Sequence, residues 1–87
     1  MNKPPAIEYP IEVPIKVMGR HSPEFRQETR KVVERHAGDP AELQVTERLS
    51  RDGNFLSVTY TIRAHSREQL ELIYVELRAT GLVLYAL

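Results

Sequence analysis

The chain has 87 residues, of which 41% are hydrophobic and 28% are charged, values typical of one small globular domain. Twelve basic residues balance twelve acidic ones, so the net charge gives no attraction to nucleic acid or to an anionic membrane. The absence of cysteine excludes disulfides, thiolate catalysis and cysteine metal sites. We therefore expect no cofactor, no nucleic acid and no membrane among the partners.

The first eight residues predict a flexible arm, because paired prolines at positions 4 and 5 cannot donate to a β-ladder. They contain no apolar core of signal-peptide length. The longest apolar run, Leu82–Leu87, is too short to cross a bilayer. We expect a cytoplasmic protein with an arm over residues 1–8 and a single domain over residues 9–87.

A change of hydrophobic period predicts a first strand followed by a helix. Ser22 is the predicted helix N-cap, and Pro23 takes the first helical position, where its missing donor is harmless. Pro14 interrupts the strand, so we expect a bulge there or a ladder that begins at Ile15. The strand positions are Ile11, Val13, Ile15 and Val17, and the helix face carries Phe25, Thr29, Val32, Val33 and His36.

Asp52-Gly53 predicts a type I′ hairpin, in which both central residues have positive φ. Glu47 falls on the apolar face of this hairpin, where a charge that protects an edge strand is favoured over a buried functional carboxylate. A turn centred at Asp52-Gly53 pairs Leu49 with Leu56, Val45 with Tyr60 and Leu43 with Ile62.

The second helix is predicted from a capping box formed by Ser66 and Gln69, and Gly81 ends it. A final strand over Leu82–Leu87 completes the order β-α-β-β-α-β, which predicts an α+β fold, a ferredoxin-like two-layer sandwich. Right-handed crossovers give its antiparallel sheet the strand order 4-1-3-2. The core stripe of the helix is Leu70, Ile73, Tyr74 and Leu77.

Four segments carry a family resemblance: "YPIEVPIKVMG", "VVERHA", "GNFLSVTYTIRAHSREQLELIYVEL" and "VLYAL". They resemble the YbeD-like family of small bacterial proteins over residues 9–87. That family is similar in fold to ACT-type domains, which bind amino acids and control metabolic enzymes. The resemblance implies a regulatory domain, and no ligand-binding residue is carried over with it.

The two helix starts predict a site for a small anion. We expect strands one and three to run parallel, which places Arg20, His21 and Ser22 beside His65 and Ser66. The free N–H groups and positive dipole ends of two helices favour a carboxylate or a phosphate. The alternative is that both serines serve only as caps.

Metal, hydrolase and RNA-binding functions are less well supported by the residues. The three histidines lack chelating spacing, so we expect no metal site. "GRHSPEFR" resembles the phosphate loop of acylphosphatases, with Arg26 as the phosphate-binding arginine, but Pro23 removes a needed donor and no catalytic residue is assigned. Of the outward strand positions that bind RNA bases in this fold, only Phe55, at a strand end, is aromatic.

The last strand and the second helix predict an interface. Leu82–Leu87 shows no polar alternation, although an edge strand has one face in water, and helix two carries a second apolar stripe opposite its core stripe. We therefore predict a non-enzymatic regulatory or adaptor domain, with a protein partner or a homo-oligomer and a small anionic metabolite; an acylphosphatase-like hydrolase is the alternative. The predicted interface residues are Leu72, Val75, Leu82, Leu84, Tyr85 and Leu87.

Overall fold

A computed structural model describes residues 7–87 and shows an α+β fold in which two helices cover one face of a four-stranded antiparallel sheet. The sheet order β2-β3-β1-β4 is the predicted order counted from the other edge, and it is consistent with a ferredoxin-like topology. Residues 1–6 of the predicted arm lie outside the described residues. The elements are β1 (Ile11–Arg20), α1 (Pro23–Ala37), a 3-10 turn (Pro40–Glu42), β2 (Gln44–Leu49), β3 (Phe55–Ala64), α2 (Arg67–Ala79) and β4 (Val83–Ala86).

The core lies between the sheet and the helices, and it is built by the predicted periodicities. Every second residue of β1 and β3 points at the helices, and residues spaced by three or four in α1 and α2 meet them. The residues that are less than 2% exposed include Ile15, Val17, Phe25, Val33, Val58, Tyr60, Ile62, Ile73 and Leu77.

Two hydroxyls inside this core satisfy each other. The Thr29 hydroxyl lies 2.7 Å from the Tyr60 hydroxyl and donates to the Phe25 carbonyl oxygen at 2.8 Å. Burial raises the pKa of the Tyr60 hydroxyl, and its hydrogen bond with Thr29 opposes that rise. A threonine therefore occupies an apolar helix face because a polar tip from β3 reaches it there.

The hairpin has the predicted register but a different turn. Leu49 pairs with Leu56 and Val45 with Tyr60, whereas the predicted third pair involves Leu43, which precedes β2. The type I′ prediction is wrong, because among residues 7–87 no residue other than glycine has positive φ. A five-residue connection, 50–54, joins the strands, and within it the Ser50 N–H donates to the Phe55 carbonyl oxygen at 2.8 Å.

Asp52 explains the difference in turn type. Its carboxylate accepts hydrogen bonds from the Ser50 hydroxyl at 2.8 Å and from the Asn54 N–H at 3.0 Å. These bonds hold Asp52 in an ordinary backbone conformation, so that Gly53 alone takes positive φ, at 79°. The same bonds, chiefly that from Asn54, lower the pKa of the Asp52 carboxyl.

The disruption expected at Pro14 is not there. Pro14 pairs with Thr61 in an unbroken ladder, and the register shift of β1 lies instead between Met18 and Gly19, opposite β4. The Lys16 N–H donates toward β4, to the Leu87 carbonyl oxygen at 3.1 Å. Backbone N–H groups of a strand point to the same side at every second residue, so Pro14 would donate to the same side as Lys16. β4 does not extend that far along β1, and the missing N–H of Pro14 therefore breaks no ladder hydrogen bond.

Candidate functional site

The predicted anion site is divided between opposite ends of the sheet. β1 and β3 are antiparallel, with Arg20 opposite Phe55 and Ile11 opposite Ala64, so the expected parallel orientation is wrong. The crossover through α1 makes β1 parallel to β2, and the hairpin makes β3 antiparallel to both. At about 3.3 Å per residue, the two helix starts are separated by roughly 30 Å.

Arg20, His21 and Ser22 lie at the hairpin end. The Ser22 hydroxyl accepts a hydrogen bond from the Phe25 N–H at 3.0 Å, and the His21 N–H donates to the Asn54 carbonyl oxygen at 2.9 Å. Ser22 is therefore a helix cap, which was the alternative to an anion ligand.

His65 and Ser66 lie at the other end, where Gln69 organises the start of α2. The Ser66 hydroxyl accepts from the Gln69 N–H at 3.1 Å, while the Gln69 side-chain oxygen accepts from the His65 N–H at 2.6 Å. The Gln69 amide group also donates to the carbonyl oxygen of His36 at the end of α1. This segment is a capping box that ties the two helices together.

His36 belongs to a charged cluster between the helices. Its ring and the Arg35 guanidinium both contact the Glu76 carboxylate of α2. The pKa of the Glu76 carboxyl is lowered, chiefly by the hydrogen bond with His36 and also by Arg35, while desolvation opposes the shift. Within residues 7–87, no group of three His, Asp or Glu side chains is arranged to hold a metal ion.

This cluster predicts a pH dependence of stability. Because the pKa of Glu76 is lower in the folded chain than in the unfolded chain, its charged form stabilises the fold above the ordinary value of 4.5, and this stabilisation is lost as the pH falls through the folded value. Glu76→Gln should therefore lower the melting temperature at pH 7 and have progressively less effect below pH 4.5.

The matched control is Glu71→Gln, which removes a carboxylate from α2 that pairs with Arg67 of the same helix. It should leave the melting temperature nearly unchanged. A Glu76→Gln effect of equal size from pH 7 to pH 3 would contradict the assignment.

Arg26 is bound to a carboxylate rather than placed to hold phosphate. Its guanidinium donates to both Glu47 carboxylate oxygens, at 2.7 and 3.1 Å, and this hydrogen bonding lowers the pKa of the Glu47 carboxyl. Glu47 is thus an exposed charge on β2 that links this edge strand to α1, as an edge-protecting residue should be. The contact gives no support to a hydrolase.

The predicted interface residues fall into two separate surfaces. Leu84, Tyr85 and Leu87 are 60%, 43% and 69% exposed and form what we call the β4 edge surface. Leu72 and Val75, 51% and 54% exposed, form the α2 outer surface in the helical layer. Leu82 is half-buried instead, and it packs against the core.

The two edges of the sheet differ in chemistry. β2 carries Glu47 and Arg48 on one edge, whereas the segment Leu82–Leu87 at the other edge has neither a charge nor a proline. Charged side chains, proline, short length and β-bulges are among the means by which edge strands avoid pairing with another chain. β4 has no charged side chain and no proline, but it is only four residues long and a register shift lies opposite it.

The open face of the sheet holds a cavity of about 200 Å³ that the sequence did not indicate. It lies beside the hairpin and spans three strands. Strand alternation places Lys16 and Ser57 on the outward face. The hairpin register places Arg48 opposite Ser57, and the register of β1 on β3 brings Lys16 alongside them. Its lining residues are Lys16, Met18, Arg48, Leu49, Ser50, Phe55 and Ser57.

A second cavity, of about 240 Å³, lies between the start of α1 and the start of β4. Its lining includes Arg20, Ser22 and Leu84, and the Ser22 hydroxyl already accepts from the helix backbone.

Neither α-helix is long and apolar enough to cross a membrane, over the part of the chain that the structure describes.

Structural comparison supports the fold. The solution structure of HP0495 from H. pylori has a TM-score of 0.69 and 14% sequence identity, covering 98% of this chain and 89% of that one. The C-terminal domain of the MgtC protein from Mycobacterium tuberculosis has a TM-score of 0.64 and 15% identity, covering 87% and 82%.

Sequence comparison identifies the family. Residues 4–87 match the family model described as "Protein of unknown function (DUF493)". A UPF0250 protein from Ectopseudomonas mendocina is 49% identical, over 93% of this chain and 89% of the relative. One from Bordetella parapertussis is 46% identical, over 88% and 85%. The chain therefore belongs to the DUF493/UPF0250 family, the YbeD-like family that its sequence resembles.

Proposed function

We propose that this chain is a non-enzymatic regulatory or adaptor domain that acts by pairing with a second copy of itself along β4, under the control of a small anionic metabolite. The observation that carries the proposal is the β4 edge, which has exposed apolar side chains and neither a charged side chain nor a proline. The regulatory part rests on the likeness of the fold to ACT-type domains, which is an argument by analogy.

A second copy is the occupant that the edge fits best. Among residues 7–87, β4 pairs with β1 alone, and no other strand of these residues binds the backbone donors and acceptors on its outer side. Antiparallel pairing of two identical edges is self-complementary and joins two four-stranded sheets into one. Such an interface closes at two copies.

Side chains of the edge support the same arrangement. Leu84 and Leu87 are more than half exposed, and Tyr85 lies opposite Met18 on the open face of the sheet. Pairing would remove apolar surface from water, and each Å² removed stabilises the dimer by roughly 25 cal/mol. The α2 outer surface offers two exposed aliphatic side chains on a helix whose backbone is already hydrogen-bonded.

The test is a charge placed on each apolar surface. Leu84→Lys and Tyr85→Lys should shift the protein toward monomer, because pairing would bring each new charge close to its symmetry copy. Sedimentation velocity at matched concentrations measures the change.

The matched control is Leu72→Lys, which adds the same charge to a similarly exposed leucine on the α2 outer surface. It should leave association unchanged. Dissociation by Leu72→Lys alone, with both β4 variants still associated, would place the interface on the helix and contradict the proposal.

A further inference from the structure

We propose that the cavity on the open face of the sheet binds a small molecule that carries a carboxylate or phosphate next to an apolar group, with Lys16 and Arg48 as the residues that hold the anion. The inference rests on the proposed function for its purpose, because it gives the anionic regulator a location. The proposed site differs from the one predicted at the two helix starts, which lie at opposite ends of the sheet.

Strand register builds the site. Arg48 of β2, Ser57 of β3 and Met18 of β1 form one row across the open face, and Lys16 with Thr59 forms the next. Ser57 is 8% exposed, so it forms the floor, while the cations stand at the rim with exposed side chains. An anion entering the cavity would meet two positive charges with the Ser57 hydroxyl beside them, whereas the Ser50 hydroxyl already donates to Asp52.

Within residues 7–87, no carboxylate forms an ion pair with Lys16 or Arg48. Each of the six ion pairs found among residues 7–87 uses a residue of α1 or α2, and none uses Lys16, Arg20 or Arg48. The carboxylate of the adjoining loop, Asp52, accepts instead from Ser50 and Asn54. Although the net charge of the chain is zero, positive side chains without an ion pair in the described part of the chain therefore lie together on the open face of the sheet.

The apolar part of the ligand is inferred from the other wall. Met18 and Phe55 line the cavity, and the Arg20 guanidinium, outside the lining, lies 5.7 Å from the centre of the Phe55 ring. Arginine binds carboxylate and phosphate with two parallel hydrogen bonds, a geometry open to Arg48. The cavity, about 200 Å³, is below the roughly 300–1,000 Å³ of pockets for drug-sized ligands, which indicates a small metabolite.

A nucleic acid fits this face less well. Strands that bind bases by stacking carry aromatic residues at their centres. Here the centres of β1 and β3 carry Pro14, Thr59 and Thr61, and Glu12 adds a negative charge near the far end. Lys16 and Arg48 line the cavity toward the hairpin end, whereas Arg63 lies at the other end of the face.

The experiment is a titration of ¹⁵N-labelled full chain with phenyl phosphate, benzoate, inorganic phosphate and phenol. Phenyl phosphate and benzoate should shift the amide signals of Ser50, Phe55 and Ser57, and each should bind more tightly than inorganic phosphate or phenol. Changing Lys16→Gln and Arg48→Gln together should weaken phenyl phosphate binding at least tenfold.

The matched control is Arg63→Gln, which removes one positive charge from the same face at its other end, opposite Glu12. It should leave phenyl phosphate binding within twofold of wild type. Equal weakening by Arg63→Gln, or phenol binding as tightly as phenyl phosphate, would overturn the site. Tighter binding of a single-stranded oligothymidylate, weakened by all three substitutions alike, would assign the face to nucleic acid instead.

Association is measured on the same samples without ligand. A protein that binds phenyl phosphate but does not associate would contradict only the proposed pairing. Association without phenyl phosphate binding would contradict only the anion site.

Discussion

Replacing Leu77 with alanine is expected to lower the free energy of unfolding by about 2–5 kcal/mol, the usual cost of opening a cavity in a packed core. Leu77 lies on the inner face of α2 and is fully buried against the sheet. For a domain of this size each kcal/mol lowers the melting temperature by roughly 4–8 °C. Urea denaturation and thermal unfolding measure the loss.

Leu72→Ala is the control on the same helix. The same atoms are removed from a side chain that is 51% exposed, so the free energy of unfolding of the monomer should change by less than about 0.5 kcal/mol. An equal loss in the two variants would mean that α2 packs on the sheet by a different face.

Gly19→Val is expected to be the other strongly destabilising change, at the upper end of the roughly 1–3 kcal/mol that overpacking costs. A Cβ at this position would lie 2.5 Å from the Leu82 carbonyl oxygen and closer still to the Phe25 ring. The aromatic ring is fully buried and the carbonyl is backbone, so neither can move aside cheaply. β1 therefore requires glycine where it passes under α1 and the connection to β4.

Gly53→Val separates steric crowding from backbone strain. A Cβ there meets no atom within 4 Å, but Gly53 has φ of +79°, so valine should cost about 1–2 kcal/mol through strain alone. Gly53→Asn should restore much of that loss, since asparagine tolerates positive φ, whereas Gly19→Ala should still destabilise.

Unchanged thermal unfolding of Gly19→Val would contradict the close approach of β1 and Phe25.

Local chemistry made much of the fold predictable. Ser22 and Ser66 cap the helices as expected, because each cap depends on residues within a few positions in sequence. The pairing of Leu49 with Leu56 followed from strand alternation together with the position of the turn. The turn type did not, because it depends on how the Asp52 carboxylate is hydrogen-bonded.

The candidate sites were predictable only in part. Leu84 and Tyr85 are exposed as expected, since six apolar residues in an edge strand cannot all face the core. The grouping of Ser22 with Ser66 was wrong because the crossover through α1 and the hairpin together make β3 antiparallel to β1, as the predicted topology already required. The predicted pairing of Leu49 with Leu56 already places Arg48 opposite Ser57. Lys16 comes beside them only through the register of β1 on β3, which no local pattern determines.

Pairing through β4 is tested most directly by sedimentation equilibrium of the unmodified chain over a wide dilution series. Pairing along β4 predicts a species of twice the 10.0 kDa chain mass that dissociates on dilution, with no larger assembly, because an isologous edge closes at two copies. A 10.0 kDa monomer at every concentration would contradict it.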